Sequence, residues 1–456
     1  MTGVQTCALP ISDSSGIIRY VSIRHGGSEI GAGNEINGLT MGGVGTGTII
    51  EFVEVFANKD DGFEWFGGSV NARFLVAAYG KDDSYDYDSG WTGYGQFWAS
   101  IGATDPGSDN ASDHGGEHDG LIGSPVDGTN FRGMGTVYNA TYVGPGTAAE
   151  LGDEVVDEGV FEISDDAGAR YYNSIFMKYG GHGMDVKTDA LAGLTEVEGS
   201  ATRIDFQNNI WFDIGDGTVA SLGGGDNAAA VQAFLTGGLG NTLVDPLLRG
   251  ISRVADGGLD PRPSSDSPAL TNARSAVPNN SFFMNVTYQG AFSPTSNWLH
   301  GWTKLSEGGY LGLHDAPNNS KAVNLSTRAT IAEGGNAIVG FAIQGELPKA
   351  VVLRAIGGSS LAAPNPMADP QMILIDLGDP DGFTNPLASV DNWDQDGLAN
   401  LVLTASAAVG AQALDAGDTV SAIAYAVLKP GLYAIIANGA GNAGGDVLVE
   451  AYDADL

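Results

Sequence analysis

The sequence predicts an all-β protein in which a solenoid of stacked strands is followed by a smaller β-sandwich. Short apolar runs rich in Val, Ile, Tyr and Phe alternate with clusters of Gly, Asp and Asn, which is typical of strands and turns. The first two-thirds of the chain contains an internal repeat, and the last third has evenly spaced short strands. With 43% hydrophobic residues, the chain is too apolar to be disordered.

The internal repeat is clearest where EFVEVFANKDDGFEWFGG (51–68) aligns without a gap on RFLVAAYGKDDSYDYDSG (73–90), at an offset of 22 residues. Further along, TVYNATYVG, RYYNSIFMK and DFQNNIWFD place Asn139, Asn173 and Asn208 at intervals of 34 and 35 residues. A unit of this kind cannot bury its apolar face alone, so stacking supplies the core. We therefore expect stacked coils in which the three asparagines bond to the coils above and below.

These repeats resemble those of right-handed parallel β-helix proteins secreted by bacteria, over Gly16 to Trp302. LDPRPSSDSPAL (259–270) is similar to the segment that ends many such helices. A propeller or a sandwich is the alternative for this region, but both need hairpin turns between successive strands, and few such signals are present.

The C-terminal part has its own signature. STRA (326–329), GF (340–341), PKAVVLRA (348–355), LKPGLY (428–433) and VEAYD (449–453) resemble a C-terminal β-sandwich module of exported proteins from Verrucomicrobia-like bacteria. The resemblance implies a surface or export context and carries no catalytic residues. The predicted domains are a β-helix over 13–305, a linker over 306–323 and the sandwich over 324–456.

The first residues raise a separate question. MTGVQTCALPI (1–11) matches a translated sequencing adapter, and Ser12 is compatible with it, so residues 1–12 are interpreted as an artefact. On this interpretation the native chain starts upstream of Asp13, its secretion signal is lost, and Cys7 is not native. We expect an extracellular or outer-surface location.

The formal net charge of −35 excludes most nucleic-acid binding, because such a surface repels phosphate backbones. No apolar stretch is long enough to span a bilayer. We expect a monomer whose partner is a polysaccharide or a cell-surface glycan.

The duplicated Lys-Asp-Asp is the strongest candidate site. If the two copies stack, carboxylates converge and their repulsion needs compensation. Ca²⁺ is the cofactor that suits such oxygen-rich loops, and a solvated acidic edge is the alternative. The predicted metal ligands are Asp60, Asp61, Asp82, Asp83, Asp86 and Asp88.

The aromatic residues among these acids suggest sugar stacking. Tyr87, Trp91 and Trp65 are the predicted substrate-binding rings, with Lys178 and His182 as further substrate contacts. The alternative is that the rings pack against the coil, as large aromatic side chains usually do.

An enzyme of this fold would eliminate uronates, with a base removing the proton next to the carboxylate. Lys81 is the predicted catalytic base, and Lys59, Lys178, His182 and Arg132 are the other candidates. Lys178 lies at nearly the same repeat position as Lys59 and Lys81, so the three are expected to share a face. A paired-carboxylate glycosidase is also conceivable.

HGGEH (114–118) matches a zinc-peptidase pattern. That chemistry needs both histidines on one helix face, and the glycines make a helix improbable. The sequence therefore favours non-covalent, calcium-assisted glycan or surface interaction. A polysaccharide lyase or glycoside hydrolase and a structural or adhesive stalk are the alternatives.

Overall fold

The computed structural model describes residues 12–28, 36–103, 112–120, 132–147, 150, 159–312, 321–322, 325–344, 347–394 and 399–454. The adapter-like residues 1–11 and half of the predicted linker, residues 313–320 and 323, lie outside these ranges. The chain forms two compact units, residues 1–317 and 318–456. The described residues form an all-β protein.

The described residues of the first unit form twenty strands. They are β1 (Ile17–Arg24), β2 (Leu39–Gly42), β3 (Ile49–Phe56), β4 (Phe63–Phe66), β5 (Ala72–Ala78), β6 (Tyr85–Asp88), β7 (Tyr94–Ile101), β8 (Gly116–His118), β9 (Met134–Tyr138), β10 (Thr141–Gly146), β11 (Phe161–Ile163), β12 (Gly168–Tyr172), β13 (Ile175–Tyr179), β14 (Met184–Val186), β15 (Val197–Glu198), β16 (Ala201–Thr202), β17 (Asp205–Gln207), β18 (Ile210–Ile214), β19 (Leu248–Ile251) and β20 (Leu259–Pro263). Its α-helices are α1 (Ala228–Thr236) and α2 (Lys304–Glu307), and its 3-10 turns cover Leu191–Leu194, Val219–Leu222 and Pro268–Leu270.

Two parallel sheets dominate this unit. One has ten strands, β1, β3, β5, β7, β9, β10, β12, β13, β17 and β18, and the other has the order β14-β11-β8-β6-β4-β2. From β1 to β8 the chain enters the two sheets alternately, so each coil adds one strand to each sheet. Parallel pairing ends before β19 and β20, which pair antiparallel, and of these two strands only β20 lies within the predicted terminal segment.

The register confirms the 22-residue repeat. Glu51 pairs with Arg73 and Phe56 with Ala78 where β3 meets β5, and Trp65 pairs with Tyr87 where β4 meets β6. Inward side chains of both sheets join one core cluster. Because strand side chains alternate, the acidic residues between these core positions point away from the core.

The asparagine prediction was wrong by one residue for Asn173 and Asn208, and Asn139 bonds to only one neighbouring coil. Asn139, Asn173 and Asn208 occupy the left-handed region, with φ of 58°, 57° and 55°. Their amide nitrogens donate to the carbonyl oxygens of Tyr288 (3.0 Å) and Ser275 (2.8 Å) and to the Ser275 hydroxyl (2.8 Å), respectively. Asn173 and Asn208 therefore bond to the segment 275–288, which we call the returning segment, whereas Asn139 bonds both to that segment and to the coil before it, because its Oδ1 accepts from Gln96 Nε2 at 3.2 Å.

The ladder between coils lies one position later. Ser174 Oγ accepts from the Ala140 N–H at 2.9 Å, Asn209 Oδ1 accepts from the Ser174 N–H at 2.8 Å, and Asn241 Oδ1 accepts from the Asn209 N–H at 3.1 Å. Asn209 is fully buried. Each of these side chains thus satisfies a backbone donor of the coil before it.

In the part of the second unit that the structure describes there are nine strands, β21 (Lys321–Ala322), β22 (Leu325–Ile331), β23 (Ala337–Gln344), β24 (Lys349–Ile356), β25 (Pro370–Asp376), β26 (Ala388–Val390), β27 (Ala422–Leu428), β28 (Gly431–Gly439) and β29 (Gly445–Asp453). Helix α3 (Ala399–Ala408) and 3-10 turns at Gly358–Ser360 and Ala440–Asn442 complete it. The strands form antiparallel sheets β21-β23-β28-β25-β26 and β22-β29-β24-β27. Buried residues from both sheets join one cluster.

Candidate functional site

The candidate site lies on the outward face of the six-stranded sheet and on the turns that lead into it. The turn 57–62 connects β3 to β4, and the turn 79–84 connects β5 to β6 directly beside it. The Asp83 N–H donates to Asp61 Oδ1 at 3.2 Å, and the Gly62 N–H donates to the Asp83 carbonyl at 2.8 Å. The two Lys-Asp-Asp copies are therefore stacked, as the alignment predicts.

A column of five carboxylates crosses the same face. The strand register pairs Glu64 with Asp86, Asp86 with Glu117, Glu117 with Glu162, and Glu162 with Asp185. Neighbouring members belong to adjacent strands, which lie about 4.8 Å apart in the hydrogen-bonding direction. We call this set the carboxylate column.

Sequence reasoning named Asp86 as a ligand and missed the rest of the column. The signal was present, because FEW, YDY, GEH, FEI and MDV each place one acid between two residues of the repeat. The loops between these segments differ in length, so the 22-residue alignment did not extend to the later copies.

The end of the column at Glu64, which we call the upper end, is crowded with negative charge. Burial raises the pKa of Asp61 to about 10, and the charges of Asp83 and Asp82 add to this. Burial also raises the pKa of Glu64 to about 7, although a hydrogen bond with Asp86 opposes the effect. The pKa of Asp86 lies well above its usual range because of burial and the charges of Asp61 and Glu64.

Two clusters at this end have metal-ligand spacing. One ligand atom from each of Asp60, Asp61 and Asp82 lies within 4.8 Å of the others, and the same holds for Asp61, Glu64 and Asp86. Asp86 is only 9% exposed, and its Oδ1 has no hydrogen-bond partner among the described residues. A buried carboxylate oxygen is normally satisfied, so this atom is available to a ligand.

At the Asp185 end of the column, which we call the lower end, a lysine compensates the carboxylates. Lys187 Nζ lies 2.8 Å from Glu162 Oε2 and 2.7 Å from Asp185 Oδ2. Burial disfavours the ammonium form, but hydrogen bonds to Asp185 and Glu162 outweigh it and raise the pKa of Lys187. Within the described residues, Lys187 gives the lower pair a compensating charge that the clusters around Asp61 and Asp86 lack.

Asp83 belongs to a third group with metal-ligand spacing, together with Asp113 and His114, whereas Asp88 belongs to none of the three groups found in the described residues. His114 donates to Asp83 Oδ1 from its backbone N–H at 2.7 Å, and its Nδ1 lies 3.1 Å from the same oxygen. Burial opposes ionisation of Asp83, but the bonds from His114 outweigh it and lower its pKa. Asp88 pairs with Phe66 across β4 and β6, two residues beyond Asp86.

The predicted sugar-stacking rings are in the core, which overturns that role for them. Trp65, Tyr87 and Trp91 are each 0% exposed. Trp65 stacks on Trp91 with centroids 4.9 Å apart, and the Trp91 indole donates to the Val70 carbonyl at 3.1 Å. The strand alternation turns these rings inward, whereas Phe66 faces outward and is 39% exposed.

The lysines predicted as a catalytic base or substrate contact lie in different environments. Lys59 is exposed and Lys81 is half-buried, and neither forms an ion pair with a described residue. Lys178 Nζ lies 2.7 Å from Glu150 Oε1 and 2.6 Å from Asp213 Oδ2. Burial disfavours its charge, but these two bonds outweigh it and raise the pKa of Lys178, which opposes a role as a base.

Lys178 also misses the expected face. Met177 is linked through successive strand pairs to Val143, Ile101 and Ala78, so Lys178 corresponds to Tyr79 and not to Lys81. The predicted row of three lysines is therefore wrong by two residues.

The two remaining basic candidates lie elsewhere. Arg132 is held by Asp166, with Nε 2.5 Å from Oδ2, and its Nη1 lies 3.6 Å from Glu196. His182 precedes β14 at the lower end of the column and is half-buried. Neither lies in the clusters around Asp61.

The HGGEH segment is a strand at 116–118, so a helical zinc site is excluded there. His118 is fully buried, its ring is 4.0 Å from that of Tyr87, and its Nε2 lies 3.0 Å from the Tyr171 hydroxyl. Burial lowers the pKa of His118 to about 3, so it is a neutral core residue.

Comparisons with known proteins support the fold of the first unit. Residues 9–219 match the family model described as a pectate-lyase-like beta helix domain. A solved structure, the pre-peptidase C-terminal domain of collagenase from Bacillus anthracis, matches with 12% identity, covering 28% of this chain and 89% of that one with a TM-score of 0.18. No curated protein gives a significant match.

In the described residues, no helix is long and apolar enough to cross a membrane. The parallel sheets and the family match together support a parallel β-helix in the first unit, similar to pectate-lyase-like domains.

Proposed function

We propose that this protein binds an extracellular polysaccharide non-covalently on the outward face of its parallel β-helix, with Ca²⁺ held at the upper end of the carboxylate column. The observation that carries the proposal is the contrast within the column. Glu162 and Asp185 share Lys187, whereas Asp61, Glu64 and Asp86 form no ion pair with a Lys or Arg in the described part of the chain. One oxygen of Asp86 is buried among these acids without a hydrogen-bond partner, as is one oxygen of Asp185.

The residues at this end fit Ca²⁺. Its ligands in proteins are six to eight oxygen atoms in irregular geometry, and carboxylates are the commonest charged donors. Asp61, Glu64 and Asp86 would hold the ion, with Asp60 and Asp82 on the adjoining turn. When bound, the ion would offset the repulsion among these acids and present positive charge to sugar hydroxyls or uronate carboxylates.

The surroundings suit a sugar chain. Phe66 is exposed on the same face two residues from Glu64, so its ring can pack against the apolar face of a sugar. Lys59 and Lys81 flank the acidic turns, where ammonium groups can pair with uronates. The match to a pectate-lyase-like domain makes a polysaccharide the best-supported class of partner.

Isothermal titration with CaCl₂ tests the metal site. The wild-type chain is expected to bind Ca²⁺, and Asp86→Asn is expected to lose that binding. Asp185→Asn is the matched control, since it makes the same change in the same column where Lys187 already compensates. Equal loss in both variants, or no binding by the wild type, would contradict the site.

Affinity retention on immobilised polysaccharides tests the glycan part. Retention on at least one acidic or neutral polysaccharide, weakened by chelator and by Phe66→Ala, is expected. If Ca²⁺ binds but no polysaccharide retains the protein, the metal site stands and the glycan proposal fails.

A polysaccharide lyase is the second candidate, favoured by the family match and by the position of Lys81 beside Asp82. Lys81 would accept the proton next to a uronate carboxylate as the glycosidic bond breaks. Unsaturated-product absorbance and new reducing ends, lost in Lys81→Ala without a change in melting temperature, would identify a lyase. New reducing ends alone would point to a glycoside hydrolase.

We also propose the finer architecture that the resemblances imply, namely a right-handed solenoid over 13–305 and a β-sandwich over 324–456 in an exported, monomeric surface protein. A structural or adhesive stalk is the remaining alternative. A stalk would be indifferent to Asp86→Asn and to Phe66→Ala in every binding assay.

A further inference from the structure

One sheet of the second unit is apolar on both of its faces. In the sheet β21-β23-β28-β25-β26, alternate residues such as Val339, Leu374 and Tyr433 point into the core cluster. Strand alternation turns the residues between them outward, and most of these are apolar as well. An antiparallel sheet with one solvated face normally has polar residues on that face, so the outward face of this sheet departs from the usual pattern.

The strand register arranges the outward residues in three rows that cross the sheet. The rows are Leu377, Leu432 and Ala342; then Leu387, Ile375, Ala434 and Gly340; then Ser389, Ile373, Ile436 and Ile338. None of these residues is charged. We call the three rows the apolar face.

The apolar face is open to solvent. Ile338 is 68% exposed and Leu432 is 60% exposed, and Leu377 and Leu387 are exposed to a smaller extent. Together these four residues present about 350 Å² of surface, which is in the range where a contiguous apolar patch commonly marks an interaction site. The face is therefore large enough to be a docking surface.

The other sheet of this unit has an apolar outer face that a helix covers. Its outward residues Val352, Ile356 and Ile423 are buried in one cluster with Val402 of the ten-residue helix α3. On the apolar face, outward residues are about 7 Å apart along a strand and strands are about 4.8 Å apart, so the rows span about 14 Å in each direction. That area suits a helix of about three turns, which is about 16 Å long.

Acidic residues lie at both ends of the apolar face. Asp391 follows β26 at one end, where Glu333 lies in the turn that leads into β23. Asp379 and Asp381 lie at the other end, in the loop that follows β25. No described Lys or Arg forms an ion pair with any of these four carboxylates. An occupant with positive charge beside an apolar stripe is therefore complementary to this surface.

We propose that the apolar face docks a cationic amphipathic helix of another protein. The apolar stripe of the helix lies on the three rows, and its Lys or Arg residues lie near the flanking acids. A second copy of this chain is a poorer occupant, because each copy has a formal net charge of −35 and the same acids would meet. The docking surface does not depend on Ca²⁺ or on the glycan binding proposed for the first unit.

Fluorescence anisotropy with the full chain tests the proposal. The probe is a labelled peptide of about 14 residues that has leucine along one helical face and lysine elsewhere. One comparison peptide has glutamate in place of lysine, and a second has the same composition in an order that forms no apolar face. We expect saturable binding of the probe, at least tenfold tighter than that of either comparison peptide.

Three variants locate the binding. Ile338→Asp and Leu432→Asp each place a carboxylate on the apolar face at a well-exposed position. Leu403→Asp is the matched control, because Leu403 is an exposed leucine on helix α3 and lies outside the apolar face. All three changes add the same negative charge, so attraction by net charge alone would strengthen binding equally in each.

The two variants of the apolar face are expected to weaken binding of the probe at least tenfold, and Leu403→Asp is expected not to weaken it. Circular dichroism checks that each variant is folded. If Ile338→Asp does not fold, Leu432→Asp provides the same test on a different strand.

Three results would overturn the proposal. They are equal binding of the probe and of the comparison peptide without an apolar face, unweakened binding in Ile338→Asp and Leu432→Asp, and self-association of the chain that Ile338→Asp abolishes. The second would mean that net charge alone holds the peptide, and the third that a second copy of this chain occupies the face.

Discussion

Stability of the first unit in EDTA should fall as pH rises, and Glu64→Gln should reduce that fall. Burial raises the pKa of Glu64 from 4.5 to about 7. For an acid whose pKa is higher in the folded state, the contribution is fully present below the unfolded value and is lost as pH rises through the folded value. The window for Glu64 is therefore about pH 4.5 to about pH 7.

The size of the effect follows from that shift. At about 1.4 kcal/mol per pH unit, the change from 4.5 to about 7 corresponds to about 3 kcal/mol. Glu64 lies on an outward face where solvent screens part of the charge, so about 1–2 kcal/mol is the expected contribution. For a unit of this size that is a change in melting temperature of about 2–6 °C.

Thermal unfolding in EDTA at about pH 4.5 and about pH 7.5 measures it, with near-UV circular dichroism reporting on the buried tryptophans of the first unit. Glu162→Gln is the matched control, because Lys187 already compensates Glu162 in the folded state. If Glu64→Gln loses as much stability as the wild type between the two pH values, the assigned cause is wrong.

Three further results are expected. At about pH 7.5, Ca²⁺ at about 100 times its Kd should stabilise the wild type by about 2.7 kcal/mol and leave the melting temperature of Asp86→Asn unchanged; equal shifts in both would refute the site. Trp91→Ala should lower the free energy of unfolding of the first unit by about 3–5 kcal/mol in denaturant titrations, because it opens a void in a buried stack of rings. A loss of glycan retention without a loss of stability would instead support the predicted sugar-stacking role of Trp91. Asn209→Ala should cost about 1–3 kcal/mol, since it leaves the buried Ser174 N–H and Tyr171 carbonyl without their partner, and a cost no greater than that of Asn208→Ala would contradict the ladder.

The repeat could be aligned from the sequence because β3–β4 and β5–β6 are joined by connections of equal length. The 22-residue offset then equals the strand register, and the pairing of Glu51 with Arg73 and of Glu64 with Asp86 follows. After β7 the connections vary in length, so Glu117, Glu162 and Asp185 could not be placed in the same column by counting residues.

The direction of each side chain was harder to predict. From the sequence alone, an aromatic ring next to an aspartate can point into the core or away from it. The structure shows that Phe63, Trp65 and Tyr87 point into the core. The same uncertainty of one residue separated Asn208, which bonds to the returning segment, from Asn209, which bonds between coils.

By itself, the sequence determined that strands predominate, that the Lys-Asp-Asp copies are superimposed, and that acidic oxygens converge there, because composition and local spacing are sufficient for each. The tertiary structure decided which acids have a cation. Lys187 reaches Glu162 across β11 and β14, whereas Asp86 is buried between Glu64 and Glu117. Burial and long-range pairing set the free energy of a charge, and neither can be obtained from a residue's neighbours along the chain.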